Sequence, residues 1–358
     1  MDLVLPALVL IAIVTAWAYL PLVPAVRELQ EGTDVAPVRV VHGSTVDVHH
    51  FALGYRSFLE ENLAAQMAKC RNEGRSQYGQ LEEGIPYSVV TNWDGKTPPV
   101  GMIVCSRSVR VPPRAVLRFE MYAAGSLVGG ETAAYKAVLA ERDVDLAPRS
   151  TTLRWLHAGA RVRVGADSRL HGRVSAGSTI ELSDGCFFER LNAPRIAFGR
   201  AVEVARSPVS REPLTVDDLR HVLDSEAGRW LVRGEVRIPA ARRLEADVVA
   251  TGDVRVGKDT QVAGSVKSHR DVYLGMGVEV HGSVVARRHV FVSEGCLIHG
   301  PVLADKTIFI GAGCRFGSET MPTTVGARRI HVSEGVVAHG TFWAHHEGVV
   351  AARTSNGS

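Results

Sequence analysis

An 18-residue period runs through the C-terminal third of the chain and limits the folds open to it. Pairs of aliphatic residues recur at this step, namely Val254 and Val256, Val272 and Leu274, Val290 and Val292, and Ile308 and Ile310. A second column repeats at the same step as Val262, Val280, Ile298 and Phe316. Such a period is typical of a solenoid, whose repeats bury their apolar faces only by stacking. Apolar or small residues also recur at every sixth position, so we predict a mainly β protein: a triangular parallel β-helix with about 18 residues per coil.

The same step divides the chain into two blocks of coil. The upstream residues that keep it are Val144, Val162 and Ile180, with Leu170 and Phe188 in the second column. We therefore predict a first β-helix block at residues 131–200, a second at 233–344 and a polar tail at 345–358. The step lengthens to 22 residues between Ile308 and Ile330, which indicates a small insertion at residues 319–323.

The segment between the blocks does not follow the period. Thr215 followed by Asp218 is similar to a capping box, and Leu219, Val222 and Leu223 share one helical face. We predict a helical insertion at residues 201–232.

Residues 3–20 contain no charged residue and predict a transmembrane helix within residues 1–26. Eighteen helical residues extend about 27 Å at ~1.5 Å each, close to the ~30 Å hydrocarbon core. No Lys or Arg precedes the apolar run, which favours a retained anchor over a cleaved signal peptide. Arg27 is the first basic residue, and the positive-inside bias places the C-terminal bulk in the cytoplasm.

Residues 27–130 form a juxtamembrane segment of mixed helix and strand with no assigned activity. Apolar residues at helical spacing predict an amphipathic helix over residues 51–70. Residues 85–90 and 100–105 read as strands. Val109 and Val111 are similar to a coil pair, but two prolines follow and the register with Val144 is lost.

Composition excludes some partners. A net charge of +3 over 358 residues gives no reason to expect binding to nucleic acid. The five cysteines show no CxxC spacing, and Cys296 and Cys314 are one repeat apart. We interpret them as small buried hydrophobes in a reducing compartment.

Residues 246–325 contain runs such as ATGDVRVGKDTQVAGSV and GVEVHGSVVARRHVFVSEGCLIHGPV. This stretch resembles the core of bactofilins, bacterial polymer-forming cytoskeletal proteins. The resemblance implies a right-handed β-helix that assembles end to end into filaments without nucleotide, at the membrane, as a scaffold for envelope enzymes. The chain departs from that family in its long N-terminal part and its second block of coil.

Hexapeptide-repeat acyltransferases, which also run 18 residues per coil, are the enzymatic alternative. Their resemblance implies a histidine base, and this chain repeats a His-Gly unit at His171, His281, His299 and His339. Each follows an interior residue and so points outward. These histidines are interpreted first as a stacked surface column, then as a metal or pH-sensitive patch, then as a catalytic base.

The last recognisable coil ends near Phe342 and Trp343, and the polar tail offers nothing to cover its edge. An uncapped coil edge pairs with another strand, so we predict self-association through these two residues. The sequence thus predicts a non-enzymatic, single-pass scaffold of a bacterial inner membrane that organises envelope or polysaccharide machinery. Its partners would be itself, the membrane and envelope enzymes, with no catalytic residue, cofactor or metal ligand. A non-polymerising accessory subunit of a membrane complex is a further alternative.

Overall fold

The computed structural model describes residues 46–81, 84–91, 93, 101–202, 204, 211–215, 222–224 and 228–351. The apolar segment at residues 3–20 lies outside this part of the chain. Within it, no helix is both long and apolar enough to cross a membrane.

The first block follows a single helix, α1 (Val46–Glu73). Its strands are β1 Gln77–Gln80, β2 Pro86–Val90, β3 Met102–Cys105, β4 Val109–Arg110, β5 Val116–Ala123, β6 Leu127–Val128, β7 Ala134–Ala140, β8 Val144–Leu146, β9 Thr151–Ala158, β10 Arg161–Val164, β11 Arg169–Ala176, β12 Thr179–Leu182 and β13 Phe187–Phe198.

The second block repeats the arrangement. Its strands are β14 Glu212–Pro213, β15 Val222–Asp224, β16 Arg229–Val232, β17 Val236–Ile238, β18 Arg242–Leu244, β19 Asp247–Ala250, β20 Val254–Val256, β21 Gln261–Val262, β22 Val266–Ser268, β23 Val272–Leu274, β24 Glu279–Val280, β25 Val284–Ala286, β26 His289–Val292, β27 Leu297–Ile298, β28 Val302–Ala304, β29 Thr307–Ile310, β30 Arg315–Phe316, β31 Thr323–Val332 and β32 Val336–Val350.

The predicted parallel β-helix is confirmed and makes about 13 turns. Each turn adds one strand to each of three sheets, which we name A, B and C in chain order. Val254, Val272 and Val290 pair in parallel at the predicted step in sheet B. Their side chains are fully buried, as are those of the second column in sheet C. The interior is therefore a dry stack of aliphatic side chains, and alternate residues face outward.

The first block begins earlier than the predicted boundary at residue 131. Val109 pairs with Leu127 at a step of 18 residues, but Leu127 pairs with Val144 only 17 residues on. A register shift between Leu117 and Glu120 accounts for the missing residue. One irregular turn therefore hid the first coils from a search at constant period.

The last strands of the two blocks pair with each other. β13 and β32 run antiparallel through all three sheets, with Leu191 opposite Phe342 and Phe188 opposite Gly348. The two parallel solenoids thus meet end to end within one chain. Because β32 continues to Val350, the predicted polar tail from residue 345 starts too early.

Aromatic rings fill the core at this junction. Four phenylalanines are fully buried there, namely Phe188, Phe198, Phe316 and Phe342. The ring centroids of Phe198 and Phe342 are 4.9 Å apart. Gly348 occupies the inward position that Ile330 holds one turn earlier. A Cβ there would lie 2.3 Å from Cε2 of Phe188, so only glycine leaves room for this ring.

Helix α1 covers the outer face of sheet A in the first block. Leu59 and Leu63 are buried against this face. Arg56 donates two hydrogen bonds to the Glu141 carboxylate, from Nε at 2.9 Å and from Nη2 at 2.7 Å. The predicted helix over residues 51–70 is confirmed, and its apolar stripe is core.

The connection between the blocks follows one corner of the second block. Val202 and Val204 lie against turn glycines, and Arg211 Nε donates to the carbonyl oxygen of Asp259 at 2.9 Å. β14 then pairs with β18, in the first coil of sheet C. The predicted helix at 201–232 is wrong over its described residues, because β15 pairs antiparallel with β16. Val222 and Leu223 thus lie on a strand, where tertiary pairing outweighs their helical spacing.

All five cysteines are free and buried, as predicted. Burial raises the pKa of the Cys105 thiol to about 12 and that of Cys186 to about 11. Both are therefore neutral, unreactive core groups near pH 7.

We expect Gly348→Ala to destabilise the protein by about 1–3 kcal/mol, because the added methyl group overpacks the Phe188 ring. Thermal unfolding followed by circular dichroism measures the change. Gly54→Ala is the control, since a Cβ at that helical position meets nothing within 4 Å. Equal stability of Gly348→Ala and the unmodified chain would contradict the junction packing.

Candidate functional site

Phe342 and Trp343 lie at the junction inside one chain. Phe342 is fully buried, whereas Trp343 is 40% exposed, as neighbours on a strand must be. The Arg190 guanidinium lies over the Trp343 ring, 4.8 Å from its centroid. The premise that this coil edge is free is therefore wrong, because β13 of the same chain already occupies it.

The four predicted histidines do not form one column. His171 Nδ1 lies 3.3 Å from Oε1 of Glu189 in the first block. His339 Nδ1 is 2.8 Å from the Pro194 carbonyl oxygen, which can only accept, so this nitrogen donates. Only His281 and His299 stack on each other, with ring centroids 4.9 Å apart.

A carboxylate completes this pair. Oε1 of Glu279 lies 3.1 Å from Nε2 of His281 and 3.9 Å from Nε2 of His299. Ligand atoms of the three residues all lie within 4.8 Å of one another. We name this group the histidine cluster. No other group of three such residues occurs in the part of the chain that the structure describes.

The connection between the blocks braces the histidine cluster. Arg211 Nη1 lies 3.3 Å from the other carboxylate oxygen of Glu279, Oε2. Oε1 is thereby turned toward the two imidazoles. Gln261 Nε2 lies 3.1 Å from His281 Nε2 on the adjacent turn.

Sequence reasoning missed Glu279 because it searched for a carboxylate in every repeat. The residues at the equivalent position of neighbouring turns are Gln261, Leu297 and Arg315. The available signal was alternation along a strand, since residues 279 and 281 flank inward Val280 and so face the same side.

A second outward feature lies on sheet B. Four rings stack on successive turns, namely Tyr273, Phe291, Phe309 and His331, and we name them the aromatic ladder. Their centroids are 4.7, 5.0 and 5.1 Å apart, with interplanar angles of 1–9°. The Arg255 guanidinium closes one end, 3.9 Å from the Tyr273 centroid. Phe309 is 38% exposed.

A shallow groove of about 340 Å³ runs beside the aromatic ladder. Ser293, Ser333 and glycine backbone line its other side. The groove offers an apolar strip with few polar groups, which suits contact with another surface more than chemistry on a small molecule.

Comparison of the chain with protein-family models, with curated proteins and with solved structures gives no match. The resemblance to bactofilins therefore stays a prediction.

We expect Phe342→Lys and Trp343→Lys to behave differently. The first buries a charge among phenylalanine rings and should cost several kcal/mol, whereas the second places its charge in water and should cost less than about 1 kcal/mol. Chemical denaturation of the two full-length variants compares them directly. Similar losses in both would contradict the inward and outward assignment of these neighbours.

Proposed function

We propose that this chain is a non-enzymatic β-solenoid scaffold, held at a bacterial inner membrane by residues 1–26. It binds its partners on its lateral faces. It does not elongate through its C-terminal coil.

The closure of β13 on β32 carries this proposal. A β-helix end presents unpaired backbone N–H and C=O groups that recruit another strand. Here the two C-terminal coil edges, one from each block, satisfy each other through three sheets. Neither is left to recruit a second copy. What remains for partners at this part of the molecule is its sides.

The lateral faces differ in ways that support specific contact. Sheet A of the first block is covered by α1 along its outer face. Sheet B of the second block leaves the aromatic ladder partly exposed. A partner that lies along the solenoid would meet a straight apolar strip with an arginine at one end, a favourable combination at interfaces.

The acyltransferase alternative has less support. Its candidate bases, His281 and His299, face a carboxylate on the outer surface of the solenoid. No volume for an acyl donor accompanies them among the described pockets. Incubation of the purified protein with acyl-coenzyme A and candidate amines would expose such an activity.

We expect the full chain, purified in detergent, to form discrete particles whose mass does not grow with protein concentration. Light scattering and negative-stain microscopy measure this. Phe342→Lys, which opens the junction and frees two coil edges, should associate with increasing concentration, while Trp343→Lys should not. Filaments of the unmodified chain would overturn the proposal.

Deleting residues 1–26 should move the protein from the membrane pellet to the soluble fraction, because no other 18-residue stretch of the sequence lacks charge to this degree. Fractionation after a high-salt wash tests this. A truncated chain that still pellets, yet passes the particle measurement above, would show a second membrane contact.

A further inference from the structure

We propose that Glu279, His281 and His299 bind a divalent transition-metal ion, with Zn²⁺ as the best match. This inference is independent of the scaffold proposal. It starts from an unsatisfied atom: Nε2 of His299 is buried and has no hydrogen-bond partner. A buried polar nitrogen without a partner is costly unless something binds it.

A protonated histidine pair does not satisfy this atom. At 3.9 Å, His299 Nε2 is too far from Glu279 Oε1 for a hydrogen bond. Oε1 already accepts from His281, whose Nε2 lies 3.1 Å away. Charging both stacked imidazoles would also set two positive rings 4.9 Å apart. A cation between the three ligand atoms satisfies all of them at once.

The spacing suits a small ion. With bonds of about 2.0–2.2 Å, tetrahedral ligand atoms lie roughly 3.3 Å apart. One pair already matches at 3.1 Å, and a modest rotation of the His299 ring brings the second from 3.9 Å. The His281 and His299 side chains are 45% and 23% exposed, so an ion can enter from solvent.

The donor set selects the class of ion. Two imidazole nitrogens and one carboxylate oxygen favour Zn²⁺ and its borderline neighbours over Ca²⁺ or Mg²⁺, which take oxygen ligands. Three protein ligands leave a fourth position for water or for the side-chain amide of Gln261, which lies next to His281.

Arg211 supplies the outer-shell support that such ligands need. Its contact with Oε2 orients the Glu279 carboxylate, and its own Nε is held by the Asp259 carbonyl oxygen. A bound ion would therefore join two turns of the second block, on a carboxylate held by the connection between the blocks.

The test is a titration of the full chain, without a polyhistidine tag, with Zn²⁺ by calorimetry and with Co²⁺ by visible absorption. We expect one ion to bind with a tetrahedral Co²⁺ spectrum that Zn²⁺ displaces. His281→Ala, His299→Ala and Glu279→Gln should each weaken binding by at least about 10–100-fold, the loss that even an outer-shell change causes. Circular dichroism confirms that these surface variants fold.

His171→Ala is the matched control, because His171 also contacts a carboxylate, Glu189, but belongs to no such group of three. It should bind Zn²⁺ as the unmodified chain does. The proposal fails if the unmodified chain takes up no Zn²⁺ or Co²⁺. It also fails if His171→Ala loses as much affinity as the cluster variants.

Discussion

The antiparallel pairing of β13 with β32 is the constraint on which the rest of this architecture depends. A parallel solenoid leaves two open edges, and two blocks leave four. By joining the C-terminal edges, the chain converts two solenoids into one body with continuous sheets. Sheet A meets sheet A, while sheet B of each block meets sheet C of the other. This is the pattern of a two-fold axis perpendicular to the solenoid, as in an isologous dimer.

That internal symmetry requires a particular connection. Because the blocks meet at their C-terminal ends, the chain must leave β13 at the junction and enter the second block at its far end. The described residues of the connection follow one corner to β14, where pairing with β18 covers part of the first coil. The connection is therefore both a return path and a cap, and Arg211 on it reaches Glu279.

How much of this the sequence could predict depends on the range of each interaction. Pairing between adjacent turns repeats at a constant step, so Val254 predicts Val272 without further information. The 17-residue step at Leu127 broke that chain of inference. The junction joins Phe188 to Gly348 across most of the molecule, and no local pattern signals it. Phe342 and Trp343 were placed correctly at a coil end, but the partner of that end could not be read from repeats.

The features with chemical potential are those in which a repeat column changes its residue type. In most inward columns one aliphatic residue replaces another, and the sequence there encodes only packing. The sheet B column ends in Gly348, which admits a ring from the other block. The outward column through Glu279 holds glutamine, glutamate, leucine and arginine on successive turns, and carries its acid only beside the two stacked histidines. Repetition builds the scaffold, and its exceptions place a single charged group where two imidazole nitrogens converge.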